Sequence, residues 1–307
     1  MKEPTYVITY DVGTTGVKTC LFEIGEIVRL KAASMRGYQL YVLPDGGAEQ
    51  DPNEWWEAMC ATTREVLQES GMDPAAIKGV SFCSQMQGVV LVDQKGEPVR
   101  RAMSYMDQRA REELKKGLAY GPQIAGANVF KLLKSLQITG AVAASVKDPV
   151  WKYKWVEAHE PEVFRRVHKW LDVKEFLICK MTGEFVMTQD SAFAALIYDI
   201  RKGKEGWSRE MCDMLGVKPE HLAPIKKSTD QVGVVTEQAA AQLGLKAGTA
   251  VFGGGGDAAL IGVGAGSTAL GDTHIYCGTS GWVSTVVDKS VVDASAMVAA
   301  IVGAQPG

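Results

Sequence analysis

The run Tyr6-Val-Ile-Thr-Tyr-Asp11-Val-Gly13-Thr14-Thr15-Gly16-Val-Lys18-Thr-Cys-Leu-Phe22 constrains the fold more than any other part of this chain. An apolar segment carries one acid into a Gly/Thr turn, and a second apolar segment follows at once, which predicts a β-hairpin. Its tip offers backbone N–H groups, two hydroxyls, a carboxylate and an ammonium. Glycine lets the backbone approach a ligand closely, and successive N–H groups form a nest for anionic oxygens. An acid beside such a cradle makes sense with a cation between them, and Mg²⁺ is the usual one. The hairpin therefore points to nucleotide phosphates with magnesium, although a Gly/Thr hairpin carrying an aspartate is also a common plain turn.

The 307 residues suffice for one large domain or two ordinary ones. A net charge of −3 gives no electrostatic reason to expect nucleic acid or an anionic membrane surface. No stretch approaches the length of a membrane span, and the first residues run straight into a strand pattern without a signal peptide. Cys20, Cys60, Cys83, Cys179, Cys212 and Cys277 are scattered, several of them inside apolar runs, as reduced buried thiols are. The cytoplasm is the expected compartment. The four histidines are equally dispersed, so no zinc site or Cys–His pair is expected.

Along the chain, strands are expected at Tyr6–Tyr10, at Val17–Glu23 and through Leu40–Val42. Asp51-Pro52-Asn53 caps a helix from Glu54 to Ser70, with Trp55, Trp56, Met59, Thr63, Val66 and Leu67 on one face. Ile77–Cys83 is a strand leading into Ser84-Gln85-Met86-Gln87-Gly88, and Asp107 to Lys116 has a charged, helical pattern. Further helices are expected at Pro149–Ala158, Val173–Met181, Ser208–Leu215 and Glu237–Leu243. Ala250–Phe252 then runs into four glycines and Asp257. A second strand–turn–strand unit follows at residues 275–287, so two Gly/Thr hairpins are available to clamp one nucleotide.

Glycines at the end of a strand carry an entropic cost that close approach of a ligand would justify. Asp257 follows them at a helix start, where it is also an ordinary N-cap. An acid held among N–H groups stays ionised and can take a proton from a substrate hydroxyl, the base that phosphoryl transfer needs. Gln85 and Gln87 offer amides to sugar hydroxyls, and Met86 offers a thioether to a sugar's C–H face. Tyr105-Met-Asp107-Gln-Arg109 adds an acid, an amide and a guanidinium, but also reads as a solvated helix start. No P-loop, dinucleotide fingerprint or nucleophile elbow is present.

These segments resemble the FGGY family of carbohydrate kinases, most closely its xylulokinase-like branch. The matches are Asp11 to Lys18, Glu49 to Trp56, Gln85 to Gly88, Tyr105 to Arg109, Lys152 to Val156, Thr182 to Phe185, Gly254 to Asp257, and Gly278 to Gly281. They fall in the family's order over nearly the whole chain. The resemblance implies an α/β fold of the actin-like ATPase (ribonuclease H-like) type, with ATP between two domains: residues 1–248, and the beginning of a second at 249–307. It implies transfer of a phosphoryl group from ATP to a sugar or polyol hydroxyl with Asp257 as general base. Asp11 would organise Mg²⁺. Gly13, Thr14, Thr15 and Lys18 would approach the phosphates, and Gly278, Thr279 and Ser280 would form the second phosphate hairpin. Gln85, Met86 and Gln87 would lie at the sugar, with Asp107 a further candidate. A small-molecule partner is expected, with neither nucleic acid nor membrane, and a homodimer is left open.

The chain departs from the xylulokinase pattern at Met86-Gln87, where the family has Met-His, at Asp257-Ala258, where it has Asp-Asn, and at Tyr105-Met-Asp107, where it has Trp-x-Asp. All three fall near the expected sugar, so the acceptor need not be xylulose. Family members are also longer, and a truncated second domain without the adenine pocket is expected here. Two alternatives stay open: a sugar- or nucleotide-binding fragment without catalysis, and an actin-like ATPase with no sugar acceptor.

Overall fold

The computed structural model describes residues 4–119, 122–124, 127–277, 281–289 and 300–303. A seven-stranded mixed sheet organises the molecule. β1 (Thr5–Val12) and β2 (Gly16–Ile24) form the expected hairpin, in register from Thr5↔Ile24 to Val12↔Val17, and β3 (Val28–Gly37) adds an antiparallel edge strand. The third strand thus comes earlier than the sequence suggested. Tyr41–Val42 is only a short strand pairing with Ala48–Gln50 outside this sheet.

α1 (Pro52–Ser70) packs across β2 and β3. The Asp51 side chain accepts from the Asn53 N–H, Pro52 occupies the first helical position, and Gly71 closes the helix at φ 62°. Trp55, Trp56, Met59, Val66 and Leu67 are buried beneath it. Two hydroxyl pairs pin helix to hairpin inside that apolar layer: Tyr10 with Thr63 at 3.0 Å and Thr19 with Thr62 at 2.7 Å. Buried hydroxyls are costly unless bonded, so these pairs also fix the helix's axial position.

β4 (Ile77–Ser84) runs parallel to β1. The chain then builds a largely helical region containing α2 (Pro149–His159) and α3 (Val173–Thr182) before returning to the sheet. There β5 (Gln231–Val234) pairs antiparallel with β6 (Ala250–Phe252), and β6 and β7 (Gly255–Gly256) both run parallel to β4. α4 (Asp257–Gly264) follows directly. Through this pairing residues 250–256 complete the first sheet. A separate hairpin, Thr273–Cys277 with Gly281–Thr285, lies beyond it.

One core cluster lies between the sheet, α1 and α3; another surrounds α2, where Tyr153 stacks on Trp170 at 5.0 Å. α3 is buried on nearly every side, including the charged residues Lys174 and Glu175. Among the described residues no helix is long and apolar enough to cross a membrane.

The register aligns one row of residues across four strands. Lys18 faces Asp11 across β2 and β1, Asp11 faces Cys83 across β1 and β4, and Cys83 faces Gly255 across β4 and β7. The last three of these strands are parallel and end at this level. In open α/β sheets, ligands bind beyond the carboxyl ends of such strands.

Candidate active site

A cavity of about 670 Å³ opens at those strand ends. The first hairpin contributes Asp11, Gly13, Thr14 and Thr15; the end of β4 contributes Cys83, Gln85, Met86 and Gln87; the start of α4 contributes Asp257, Ala258 and Ile261. Tyr105, Asp190, Phe193 and Leu196 add to the cavity wall, and Tyr276 and Ile301 approach from beyond the sheet. The two acids singled out from sequence, Asp11 and Asp257, therefore meet in one cavity.

The hairpin turn is braced from below. The Gly13 carbonyl accepts from the Gln85 amide at 3.1 Å and from the Tyr38 hydroxyl, and the Thr14 carbonyl accepts from the Gln50 amide at 2.8 Å. The Gln85 amide also donates to Gln50 Oε1 at 2.9 Å. Gln85 thus lines the cavity and spends its amide donors on the turn, while its buried Oε1 has no hydrogen-bond partner among the described residues. Thr14 Oγ1 reaches the Tyr105 hydroxyl at 3.4 Å. Lys18 stands opposite Asp11 in the ladder, exposed and outside the cavity lining. Gly278, Thr279 and Ser280 lie outside the described residues; the strands on either side of them form the antiparallel hairpin that the sequence predicts.

The glycines before Asp257 answer to contact. Gly254 sits at φ 66°, and a Cβ there would stand 2.1 Å from the Phe82 carbonyl oxygen. A Cβ on Gly256 would stand 2.0 Å from Met86 Sδ, so Met86 lies directly against the turn that carries the acid. Gly256 holds the cap position, and Asp257 is the first helical residue, not the N-cap. Burial pushes the Asp257 carboxyl above its ordinary range, and the neighbouring Asp11 adds to this, while the Ala258 N–H, 2.8 Å from Oδ1, pulls it back. A raised pKa makes the carboxylate a stronger proton acceptor. The Cys83 thiol, beside Asp11 in the row, is pushed up to about 12 by burial and by Asp11 and Asp257, so it stays neutral.

Asp107 does not reach the cavity. It is fully buried, accepts from the Ala48 N–H at 2.9 Å, and pairs with Arg109 at 2.7 Å. Arg109 also bonds Glu49 at 2.6 Å and lies over the Trp155 ring at 4.2 Å. The expected solvated helix start is therefore a buried ionic knot that fixes the Tyr105 loop, and the helix itself begins later, at Arg111.

Sequence reasoning missed Asp190. Its carboxylate lines the cavity, accepts from the Gly256 N–H at 2.6 Å and pairs with Lys174 at 3.5 Å. Burial would raise its pKa, but Lys174, Thr188 and the Gly256 N–H outweigh that and lower it. The available signal was the Lys174-Glu175 pair inside the apolar run of α3, since buried charges need partners. Gln87 and Leu196, both at the cavity, take positive φ values of 62° and 61°, a strained conformation for side-chain-bearing residues that surrounding bonds must hold.

Comparison with known proteins is decisive at this point. The profile of the FGGY family of carbohydrate kinases, N-terminal domain, matches residues 6–264. The chain belongs to the FGGY family. A xylulose kinase of Staphylococcus epidermidis is 31% identical over 290 residues, covering 91% of this chain and 53% of the relative. An autoinducer-2 kinase of Klebsiella pneumoniae is 27% identical over 277 residues, covering 90% and 50%. Among solved structures, a ligand-bound xylulose kinase from Lactobacillus acidophilus superposes with a TM-score of 0.82 at 26% identity, covering 95% of this chain and 56% of that one. The chain thus has the actin-like α/β fold of the FGGY kinases and spans about half the length of the curated relatives it matches.

Proposed function

We propose that this chain forms the acceptor and phosphate end of an ATP-dependent carbohydrate kinase, which phosphorylates a hydroxyl of a sugar or polyol. The observation that carries the reading is the meeting of Asp11, the Thr14–Thr15 turn, Met86–Gln87 and Asp257 in one cavity. Asp257 takes the proton of the acceptor hydroxyl as its oxygen bonds to the γ-phosphorus and the bond to the ADP bridging oxygen breaks. Its raised pKa suits that proton transfer. Thr14, Thr15 and the N–H groups of the first turn face the phosphates.

Among the described residues no group of three or more His, Cys, Asp or Glu is placed to hold a metal alone. Asp11, which lines the cavity beside Thr14 and Thr15, is the carboxylate that would hold a magnesium ion together with waters and nucleotide oxygens. When bound, the ion would spread the charge developing on the phosphoryl group. The free, buried thiols of Cys60, Cys179 and Cys212 support a reducing, cytoplasmic setting.

All three departures from the xylulokinase pattern, Gln87, Ala258 and Tyr105, line the cavity, so acceptor choice is the property in which this chain should differ from its xylulose kinase relatives. The test is phosphoryl transfer from ATP to a panel of pentuloses, hexuloses and polyols. Turnover of at least one acceptor is expected, with Asp257→Asn lowering kcat by about 10²–10⁴-fold while acceptor binding survives. Equal turnover in Asp257→Asn refutes the role of that acid. Sugar binding in calorimetry without transfer selects a binding protein instead, and ATP hydrolysis indifferent to every sugar selects an ATPase.

A further inference from the structure

The buried charged groups around α3 have no part in the chemistry above, yet they touch both sides of the cavity. Asp172 caps α3, and each of its oxygens takes a backbone N–H of the acceptor loop at 2.8 Å: Oδ2 from Gln87 and Oδ1 from Gly88. The other side of the same peptide is held by Lys152 of α2, whose ammonium donates to the Gln87 carbonyl at 2.6 Å and the Ser104 carbonyl at 3.0 Å. Gln87 is thereby clasped in its left-handed conformation by two buried ionisable side chains from different helices.

Two residues after Asp172, Lys174 serves the opposite side. Its ammonium meets Ser191 Oγ at 2.5 Å, Glu175 Oε1 at 3.0 Å and Asp190 Oδ2 at 3.5 Å. That same Asp190 oxygen holds the Gly256 N–H, one residue before Asp257. Burial alone would lower the Lys174 pKa, but Asp190, Glu175 and Asp172 outweigh it and raise it, so the ammonium stays charged. Met86, packed against Gly256, closes the loop between the two sides.

We propose that the first turn of α3 is the spacer that sets the separation of the acceptor loop from the general base. Asp172 and Lys174 are its two positioning residues, one for each side. The inference rests on the carbohydrate-kinase reading. A buried charge network is an expensive way merely to fill space, because apolar residues of similar volume stabilise a core as well or better. What directional bonds add is placement of backbone groups, and small displacements of reacting groups cost large factors in rate. Acceptor affinity should therefore depend on the Asp172 side, and proton transfer on the Lys174 side.

The experiment compares Asp172→Asn with the paired variant Lys174→Met/Glu175→Gln, which leaves the net charge of the Lys174–Glu175–Asp190 cluster unchanged. Steady-state kinetics are run with the best acceptor of the panel, and amide hydrogen exchange is measured without ligand. Asp172→Asn should raise the acceptor KM about tenfold with little change in kcat, and the paired variant should lower kcat about tenfold with little change in that KM. The KM for ATP should hold in both. Exchange should quicken at Gln87 and Gly88 in the first and at Gly256 in the second. Lys152→Met, which opens the clasp from its other side, should reproduce the first pattern if Asp172→Asn does not fold. Equal changes in both parameters and uniform exchange in both variants would reduce the network to plain structural support and overturn the proposal. If the parent protein turns over no acceptor, the kinase reading fails by itself, and the exchange pattern still decides whether the turn holds the two sides separately.

Discussion

At the residue scale, two neighbouring glycines separate stability from function. Gly254 has both a positive φ and a backbone oxygen where its Cβ would be, and neither can yield. Gly254→Ala is expected to cost on the order of 2–4 kcal/mol, measured as a lower midpoint in chemical denaturation. At Gly256 the obstacle is the flexible Met86 side chain. Gly256→Ala should therefore cost only about 1 kcal/mol of stability and show itself instead as a higher acceptor KM, because Met86 is displaced into the cavity. Equal stability losses in the two variants would contradict this. That a ligand or a close contact justifies these glycines was legible in the sequence, because a glycine run before an acid has few other motives. Which contact each one makes was not legible, because Phe82 and Met86 reach the turn only through the pairing of β7 with β4.

At the element scale, α2 carries two titrations of opposite sign. At its middle, the Tyr153 hydroxyl bonds His221 Nδ1 at 2.9 Å. Burial, with Lys218 and Lys169 nearby and Glu220 and Glu157 opposing, lowers the His221 pKa from 6.5 to about 4. The fold thus holds a neutral imidazole that the unfolded chain would protonate. Its contribution is full above pH 6.5 and is lost as the pH falls through 4. At the N-terminus of α2, burial pushes Asp148 from 3.8 up to about 6, with the Ser145 N–H and Lys152 opposing. That group favours the fold at low pH, and its contribution is lost as the pH rises through 6. Thermal melts across pH 4–8 check both expectations. His221→Gln should lose less stability than the parent between pH 6.5 and 4, and Asp148→Asn should lose less between pH 4 and 7. The helices themselves were largely legible, with α1, α2 and α3 matching their spans to within a residue or two, because capping residues and apolar periodicity are local signals. The segment at Asp107 was misjudged because spacing shows an acid and a guanidinium two residues apart but not that Glu49 and Trp155 enclose them.

At the scale of the whole molecule, the hairpin beyond the main sheet exposes Ile275 at 71% and Val283 at 68%, with Leu270 nearby at 68%. Ile275 and Val283 are directly paired, so they form one apolar face. Such faces mark contact surfaces or association hazards. Replacing both with threonine should reduce binding of an apolar dye and any concentration-dependent association in sedimentation, leaving the melting of the main sheet unchanged. Long-range order was the least legible level. The hairpin and Asp257 could be named from local patterns, whereas Asp190, Lys152 and Lys174 acquire roles only once distant segments meet.

The row that joins Asp11, Cys83 and Gly255 also has a history within each molecule. β1, β2 and β4 come off the ribosome early and can pair at once, but β7 arrives only after the whole helical region has been made. Until then the C-terminal part of β4 has no neighbour on one side, and an open strand edge invites wrong partners. The cavity is completed late in synthesis, so slow translation or a stall across residues 90–250 should leave a nascent chain with its hairpin formed, its base absent and a sticky margin exposed to chaperones.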